Sequence, residues 1–211
     1  EESSFLKKIS SKLKHKYFIE IGFHNTEFNT IGLIEKNFSG LLIDGGRFVN
    51  ILTMKFILKI LGKKNVKVKN FFVEKKNIKK IFKENKKIGC LSIDIDGNDF
   101  WIVKSILELN IRPEIFIVEY NPSFLNYSYS VPYDKNFNRF KKHSSGLYHG
   151  ASLYAFSKLF KKNGYHLIKV IGGVNAIFTN HLLCKKLGMY VLNHRNAYQE
   201  GLIRNKIHKK S

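Results

Sequence analysis

The sequence predicts an α/β fold built on a doubly wound, mainly parallel sheet. Apolar strand-like runs alternate with segments of helical periodicity, joined by short connections that require right-handed crossovers. Four of these runs end on a carboxylate, at Glu20, Asp44, Asp94 and Glu119. Because parallel strands end at one edge of a sheet, we expect the four acids to converge on a ligand-binding crevice there.

Three strands and four helices are predicted in the first half of the chain. Each strand is a short apolar or alternating run bounded by polar or glycine-containing turns. The predicted strands are residues 17–22, 41–44 and 65–73. Each helix has apolar residues spaced three or four apart. The predicted helices are residues 5–16, 28–34, about 47–61 and about 78–82.

Four further strands and two long helices are predicted in the second half. The predicted strands are residues 89–95, 115–119, 165–171 and 174–179, and the helices are residues 99–107 and 151–163. Gly172-Gly173 separates the last two strands, which predicts an antiparallel hairpin at the sheet edge. The result is a seven-stranded sheet with an antiparallel last strand.

The chain length fits one domain with a tail, since 211 residues are enough to bury a full core. We assign residues 1–188 to the domain and 189–211 to a basic C-terminal tail. The stretch 122–150 is rich in Tyr, Ser and Asn and is far longer than a usual connection. Its aromatic residues favour a lid or substrate loop.

The composition excludes several classes of protein. A hydrophobic share of 44% excludes general disorder, and two cysteines are too few for a disulfide framework or a four-ligand zinc site. No apolar run approaches the roughly 20 residues of a membrane helix, and no secretory signal is visible. The sequence therefore predicts no membrane span and a cytoplasmic location.

The net charge of +21 indicates an anionic partner. Nearly all the cations are lysines, however, whereas an evolved phosphate site favours arginine for its bidentate geometry. Nucleic-acid binding is therefore kept as the less favoured alternative.

The first two strand ends indicate a nucleoside ligand. Gly22 allows the backbone to approach a ligand closely, and Glu20 can take the ligand's amino group or a hydroxyl. Phe23 follows where a diphosphate-binding glycine motif would need another small residue. Asp44 ends the second strand, where an acid holds a ribose diol. An acid, a glycine and a second-strand acid without a diphosphate loop fit S-adenosylmethionine best.

Asp94, Asp96 and Asp99 form the densest acid cluster of the chain. Carboxylates so close repel one another unless a cation or a shared proton offsets the repulsion. Asp99 can also cap the following helix, but an acid on an apolar strand, as at Asp94, indicates function. An EF-hand is excluded because a strand precedes the cluster.

Glu119 and Asn121 end the neighbouring strand, and with Asp94 they offer oxygen ligands that suit Mg²⁺ or Mn²⁺. The alternative is that these groups bind the cofactor and the loop backbone. His149, at the end of the long loop, is a candidate general base, although a single histidine is more often structural.

The chain resembles the FkbM-type, class I S-adenosylmethionine-dependent methyltransferases. The matching stretches run in order along the chain and include 18–22, Asn29-Thr30, 40–44, 91–99, 117–121, 150–153 and 173–176. The run Leu-Ser-Ile-Asp-Ile-Asp-Gly-Asn-Asp at 91–99 is the most specific of them.

The resemblance implies a Rossmann-like fold and roles for particular residues. Glu20 and Gly22 would flank the methionine part of the cofactor, Asp44 the ribose and the segment at Glu74 the adenine. Asn29, in a matching stretch, is added to the predicted cofactor site. Asp94 and Asp96 would face the reacting end, with His149 as a further catalytic candidate.

The activity so implied is O-methylation of a sugar, a glycan or another small hydroxylated acceptor, as in polysaccharide biosynthesis. Two alternatives stay open: an RNA methyltransferase, and a non-catalytic protein of this fold that binds an anionic partner.

Overall fold

The computed structural model describes residues 1–26, 28–46, 48–82 and 87–198. Its strands are β1 Tyr17–Ile21, β2 Ser39–Asp44, β3 Val66–Asn70, β4 Cys90–Ile93, β5 Ile115–Glu119, β6 Tyr165–Ile171 and β7 Asn175–Asn180. Its α-helices are α1 Glu2–Ile9, α2 Ile31–Glu35, α3 Phe48–Ile60, α4 Asp99–Glu108, α5 Arg139–Lys142, α6 Leu153–Lys162, α7 His181–Lys186 and α8 His194–Ala197. Short 3₁₀ turns cover Ser10–Lys12, Ile78–Lys80 and Pro122–Phe124.

The strands form one seven-stranded sheet in the order β3-β2-β1-β4-β5-β7-β6. Strands β1 to β5 pair in parallel, whereas β7 is antiparallel to both β5 and β6. The predicted doubly wound sheet with an antiparallel last strand is confirmed. The strand order reverses between β1 and β4, and ligands bind at such a switch point in open α/β sheets.

A hydrophobic core lies on each face of the sheet. One core contains an aromatic cluster in which Phe160 stacks on Phe178 at 4.1 Å between ring centroids and lies 4.9 Å from Phe116. The other core packs α1, α2 and α3 against the sheet through residues such as Leu33 and Met54. Because both faces are covered, every residue of β4 is buried.

Two predicted helices are shorter than expected. The helix predicted at 5–16 ends as an α-helix at Ile9, continues as a 3₁₀ turn and becomes extended at Leu13. The helix predicted near 78–82 is a single 3₁₀ turn. None of the described helices combines the length and the apolar character that crossing a bilayer requires.

Residues 189–198, the described part of the predicted tail, pack against the sheet and α6. The Leu192 amide donates to the Leu167 carbonyl at 2.8 Å, and His194 stacks on Tyr154 at 4.1 Å between centroids. The Tyr198 hydroxyl donates to the Pro122 carbonyl at 2.8 Å. The remainder of the predicted tail, 199–211, lies outside the described residues.

The long loop 122–150 packs against α4 and the residue just before it. The Trp101 indole donates to the Val131 carbonyl at 2.8 Å, and the Asn98 amide donates to the Asp134 carbonyl at 2.8 Å. These bonds place the loop beside the residues that follow β4. Its role as a lid or substrate loop stays a prediction.

Candidate functional site

A cleft of about 1240 Å³ lies at the carboxyl ends of β1, β2, β4 and β5. The four strand-end acids, Glu20, Asp44, Asp94 and Glu119, all line it. This convergence follows from parallel pairing, which brings the ends of these strands to one edge of the sheet.

Gly22 brings the ends of β1 and β4 together. Its φ of +80° is left-handed, and a Cβ built there would lie 1.6 Å from the Asp94 carbonyl oxygen. The Gly22 amide donates to the Ile43 carbonyl at 2.8 Å, which fixes the turn to β2 as well. Only glycine fits this position, for reasons of both conformation and space.

Glu20 is buried beneath the turn after β1. One carboxylate oxygen accepts from the Asn29 amide at 2.7 Å, and the other accepts from the Thr30 amide at 2.9 Å and the Thr30 hydroxyl at 2.5 Å. Burial raises the pKa of Glu20 to about 7 despite these bonds. Glu20 therefore orders the segment around Asn29, and it also lines the cleft, so its contact with a ligand amino group or hydroxyl stays a prediction.

Asp44 presents its carboxylate to the cleft at the end of β2. The Gly46 amide donates to Oδ2 at 3.1 Å, which leaves other acceptor positions of the carboxylate for a ligand. The apolar Phe72 lies next to Gly45 and also lines the cleft, although its side chain is 58% exposed. An acid beside a flat apolar ring suits a ribose with its attached base.

Glu74, predicted to lie beside the adenine, does not line the cleft. Its carboxylate pairs with Lys76 at 3.0 Å, and the lining from this segment comes from Phe71, Phe72 and Val73. The sequence pattern alone does not place these apolar residues at the site. The signal that could have found them is the apolar run Phe71-Phe72-Val73 at the end of the predicted strand 65–73.

Asp94 and Glu119 form a carboxyl pair at the centre of the cleft. They follow the neighbouring parallel strands β4 and β5 at the edge where both line the cleft, and repulsion between two carboxylates so close favours a proton on one of them. Burial, followed by repulsion from Asp99 and Asp96, raises the pKa of Asp94 to about 8. Burial and the charge of Asp94 also raise the pKa of Glu119 well above its ordinary range. The pair can accept or release a proton near neutral pH.

Asp99 and Asp96 have different surroundings. Asp99 is fully buried, and its carboxylate accepts from the amides of Ile95 at 2.8 Å and Gly97 at 2.9 Å, so it holds the turn after β4. Asp96 has a left-handed φ of +59°, lines the cleft and pairs with Arg139 of the long loop. The loop thus attaches directly to the acid cluster.

His149 lies behind the pair and does not line the cleft. Its Nδ1 is 3.9 Å from Glu119 Oε2 and has no hydrogen-bond partner within the described parts of the chain. Burial, with the nearby Arg139 charge, lowers the pKa of His149 to about 4. The imidazole is therefore neutral at physiological pH, and it lies beside Glu119.

The predicted Mg²⁺ or Mn²⁺ site is not supported. The Asn121 side chain is buried and donates to the carbonyls of Leu147 at 2.6 Å and His149 at 2.8 Å. Its amide oxygen accepts from the Ser123 amide at 2.9 Å, so Asn121 anchors the loop. Across residues 1–26, 28–46, 48–82 and 87–198, no three or more His, Cys, Asp and Glu side chains form a metal-binding group.

The cleft is acidic although the chain is strongly basic. Among the described residues, seven acids line it, whereas no lysine or arginine does so. The seven acids are Glu1, Glu2, Glu20, Asp44, Asp94, Asp96 and Glu119. Such a lining attracts cations and repels phosphates.

Comparison with known proteins identifies the fold. No family model and no curated protein matches the sequence. Among solved structures, the O-methyltransferase from Bacillus cereus in complex with SAH matches with a TM-score of 0.54 and 13% identity, over 84% of this chain and 78% of that one. The SAH-bound N-terminal domain of EvdMO1 matches with a TM-score of 0.53 and 11% identity, over 85% and 80%.

The methyltransferase domain of bacterial CtHen1-C matches with a TM-score of 0.52 and 14% identity, over 84% of this chain and 96% of that one. The chain therefore has the fold of class I S-adenosylmethionine-dependent methyltransferases.

Proposed function

We propose that the chain is an S-adenosylmethionine-dependent methyltransferase that methylates a hydroxyl of a sugar, a glycan or another small acceptor. The observation that carries the proposal is the acid-lined cleft at the switch point of a sheet with this fold. A sulfonium and an ammonium group are both cationic, and a lining of carboxylates complements them. The run at 91–99 supports membership of the FkbM-type branch, and that resemblance is the reason for proposing a glycan acceptor.

The residues of the cleft fit this cofactor. Asp44 would hold the ribose hydroxyls, and Phe72 offers an apolar surface for the adenine. The Gly22 turn, ordered by Glu20 and Asn29, would border the methionine part. S-adenosylmethionine would supply the methyl group.

The Asp94–Glu119 pair is proposed to accept the proton of the acceptor hydroxyl. Repulsion between the two carboxyl groups would hold one proton on the pair, and in that singly protonated form the ionised carboxylate would serve as the base. Neutral His149, 3.9 Å from Glu119, would stabilise the charge of that carboxylate from behind. Asp96, held by Arg139, would position the acceptor at the loop side of the cleft.

RNA methylation is the second candidate, and the charge of +21 favours it. The cleft itself argues for an uncharged acceptor, because its carboxylates would repel a phosphate backbone at the point of reaction. A non-catalytic protein of the same fold would show no methyl transfer at all.

Calorimetric titration with S-adenosylmethionine and S-adenosylhomocysteine tests the cofactor assignment. Asp44→Ala should weaken both tenfold or more, because a charged hydrogen-bond pair contributes about 1.5 to 3 kcal/mol. Glu108→Ala is the matched control, since Glu108 is 62% exposed and pairs only loosely with Lys104 at 3.9 Å. Equal affinities for the two variants would remove Asp44 from the site.

Transfer of a radiolabelled methyl group separates the acceptor classes. The chain should label a panel of free sugars and glycans, and RNA should be labelled weakly and without sequence preference. Tight, selective labelling of RNA at physiological salt would establish the second candidate. Cofactor binding without transfer to any acceptor would favour the non-catalytic alternative.

A further inference from the structure

The outward face of α3 is apolar although solvent surrounds it. Five side chains on this face are at least half exposed: Phe48 at 62%, Val49 at 68%, Leu52 at 50%, Phe56 at 63% and Ile60 at 67%. We call these five residues the α3 stripe. Four of them, Phe48, Leu52, Phe56 and Ile60, follow one another at intervals of four, so they form a continuous row.

The opposite face of α3 already supplies the packing that the fold needs. Ile51, Met54 and Leu58 are buried against the sheet. A helix that is apolar on both faces is normally enclosed, and exposed apolar patches of this kind mark interaction sites. Within the described part of the chain, no helix or strand packs over the stripe.

Lysines border the α3 stripe on one side. Lys55, Lys59, Lys63 and Lys64 surround a shallow hollow of about 200 Å³ next to β3. The sequence between Asp44 and Glu74 contains six lysines and Arg47 but no acid. The region therefore combines exposed apolar side chains with uniformly positive charge.

We infer that the α3 stripe docks on a lipid bilayer with anionic headgroups. An interfacial helix inserts its apolar side chains between the headgroups while its lysines contact the lipid phosphates, and both parts are present here. The 13 residues of α3 give the stripe more than three turns of length.

The charge distribution disfavours other occupants. In a symmetric dimer, the lysines beside the α3 stripe of one copy would face those of the other. Because each copy carries a net charge of +21, the two copies would repel each other. Single-stranded nucleic acid is held by cations with aromatic stacking, whereas Val49, Leu52 and Ile60 are aliphatic and cannot stack on bases.

Docking would also fix where the cleft lies relative to the bilayer. Asn50, on α3, lines the cleft, and so does the exposed Phe72. The Asp44 side of the cleft would therefore open close to the headgroups.

Flotation of the full chain with vesicles tests the inference. The chain should bind vesicles of phosphatidylcholine mixed with phosphatidylglycerol, and Leu52→Glu with Phe56→Glu should weaken binding about tenfold or more. The control is Leu182→Glu with Tyr190→Glu, which changes the charge equally at side chains that are 82% and 86% exposed. The control should lose little binding.

Melting curves should show that both double variants are folded, because all four side chains are exposed. Lys55→Gln with Lys59→Gln provides a second test that keeps the helix intact, and it should weaken binding to the anionic vesicles severalfold.

Several results would overturn the inference. Equal losses in the two Glu double variants would show attraction by net charge alone. Unchanged binding of the stripe variant would exclude α3, as would absence of vesicle binding by the full chain. A dimer in sedimentation, dissociated by the stripe variant, would assign the surface to a second copy. If the stripe variant lost RNA binding but kept vesicle binding, the α3 stripe would be assigned to RNA.

Discussion

Gly22→Ala tests the contact that joins β1 to β4 under the cleft. The new methyl group would meet two penalties. The left-handed φ of +80° costs a residue with a Cβ about 1–2 kcal/mol, and the Cβ would lie 1.6 Å from the Asp94 carbonyl oxygen. Because that oxygen belongs to the backbone of a buried strand end, relief requires the strands to separate, at about 1–3 kcal/mol.

The sum predicts a loss of about 2–5 kcal/mol in the free energy of unfolding, a large part of the total stability of a typical domain. Gly164→Ala is a matched control. Its φ is +79°, and a Cβ there would have no neighbour within 4 Å, so only the conformational penalty applies. The difference between the two variants therefore isolates the contact with Asp94.

Urea denaturation followed by circular dichroism measures both free energies. Gly22→Ala should be less stable than Gly164→Ala by about 1–3 kcal/mol. It should also weaken S-adenosylhomocysteine binding, because the turn borders the proposed methionine site. Equal destabilisation by the two substitutions would refute the close approach of the β1 turn to β4.

The remaining predictions concern the buried acids. Asp94→Asn should become more stable relative to the parent chain as the pH rises from about 5 to about 8. In the parent chain, the pKa of Asp94 is raised from 3.8 to about 8, so protonated Asp94 stabilises the folded state fully below pH 3.8. This stabilisation is lost as the pH rises towards 8, and the Asn variant has no such loss. Urea titrations at both pH values, with Glu108→Gln as the control, measure this trend, and a pH-independent difference would contradict it. Thr30→Val should lower the free energy of unfolding by about 1–3 kcal/mol, since the buried Glu20 carboxylate loses a hydroxyl donor; an unchanged midpoint would argue against that bond.

The sheet could be predicted because its signals are local. Each parallel strand is a short apolar run that ends where the chain becomes polar, and the acids at those ends mark the edge that forms the cleft. The sequence therefore predicted the positions of Asp44, Asp94 and Glu119 at one edge. The antiparallel arrangement of β7 followed from Gly172-Gly173, whose φ values of +61° and +70° make the tight turn.

The partners of the polar residues could not be predicted, because they depend on segments distant in sequence. Asn121 looks like a ligand beside Glu119, but its amide is used by the carbonyls of Leu147 and His149, 26 and 28 residues away. Glu20 binds the backbone at Asn29, since the segment after β1 folds back onto the strand. Glu74 forms an ion pair with Lys76, and the preceding apolar residues Phe71, Phe72 and Val73 line the cleft instead.

The acidic cleft within a basic molecule has a consequence for the cycle of the proposed reaction. Methyl transfer turns a sulfonium into a neutral thioether, so the spent cofactor carries one positive charge fewer than the fresh one. The carboxylate of Asp44 and the single negative charge of the Asp94–Glu119 pair attract the first form more strongly than the second. The same lining that captures the cofactor therefore favours release of its product, and exchange of the spent molecule for a fresh one is driven by the change in charge.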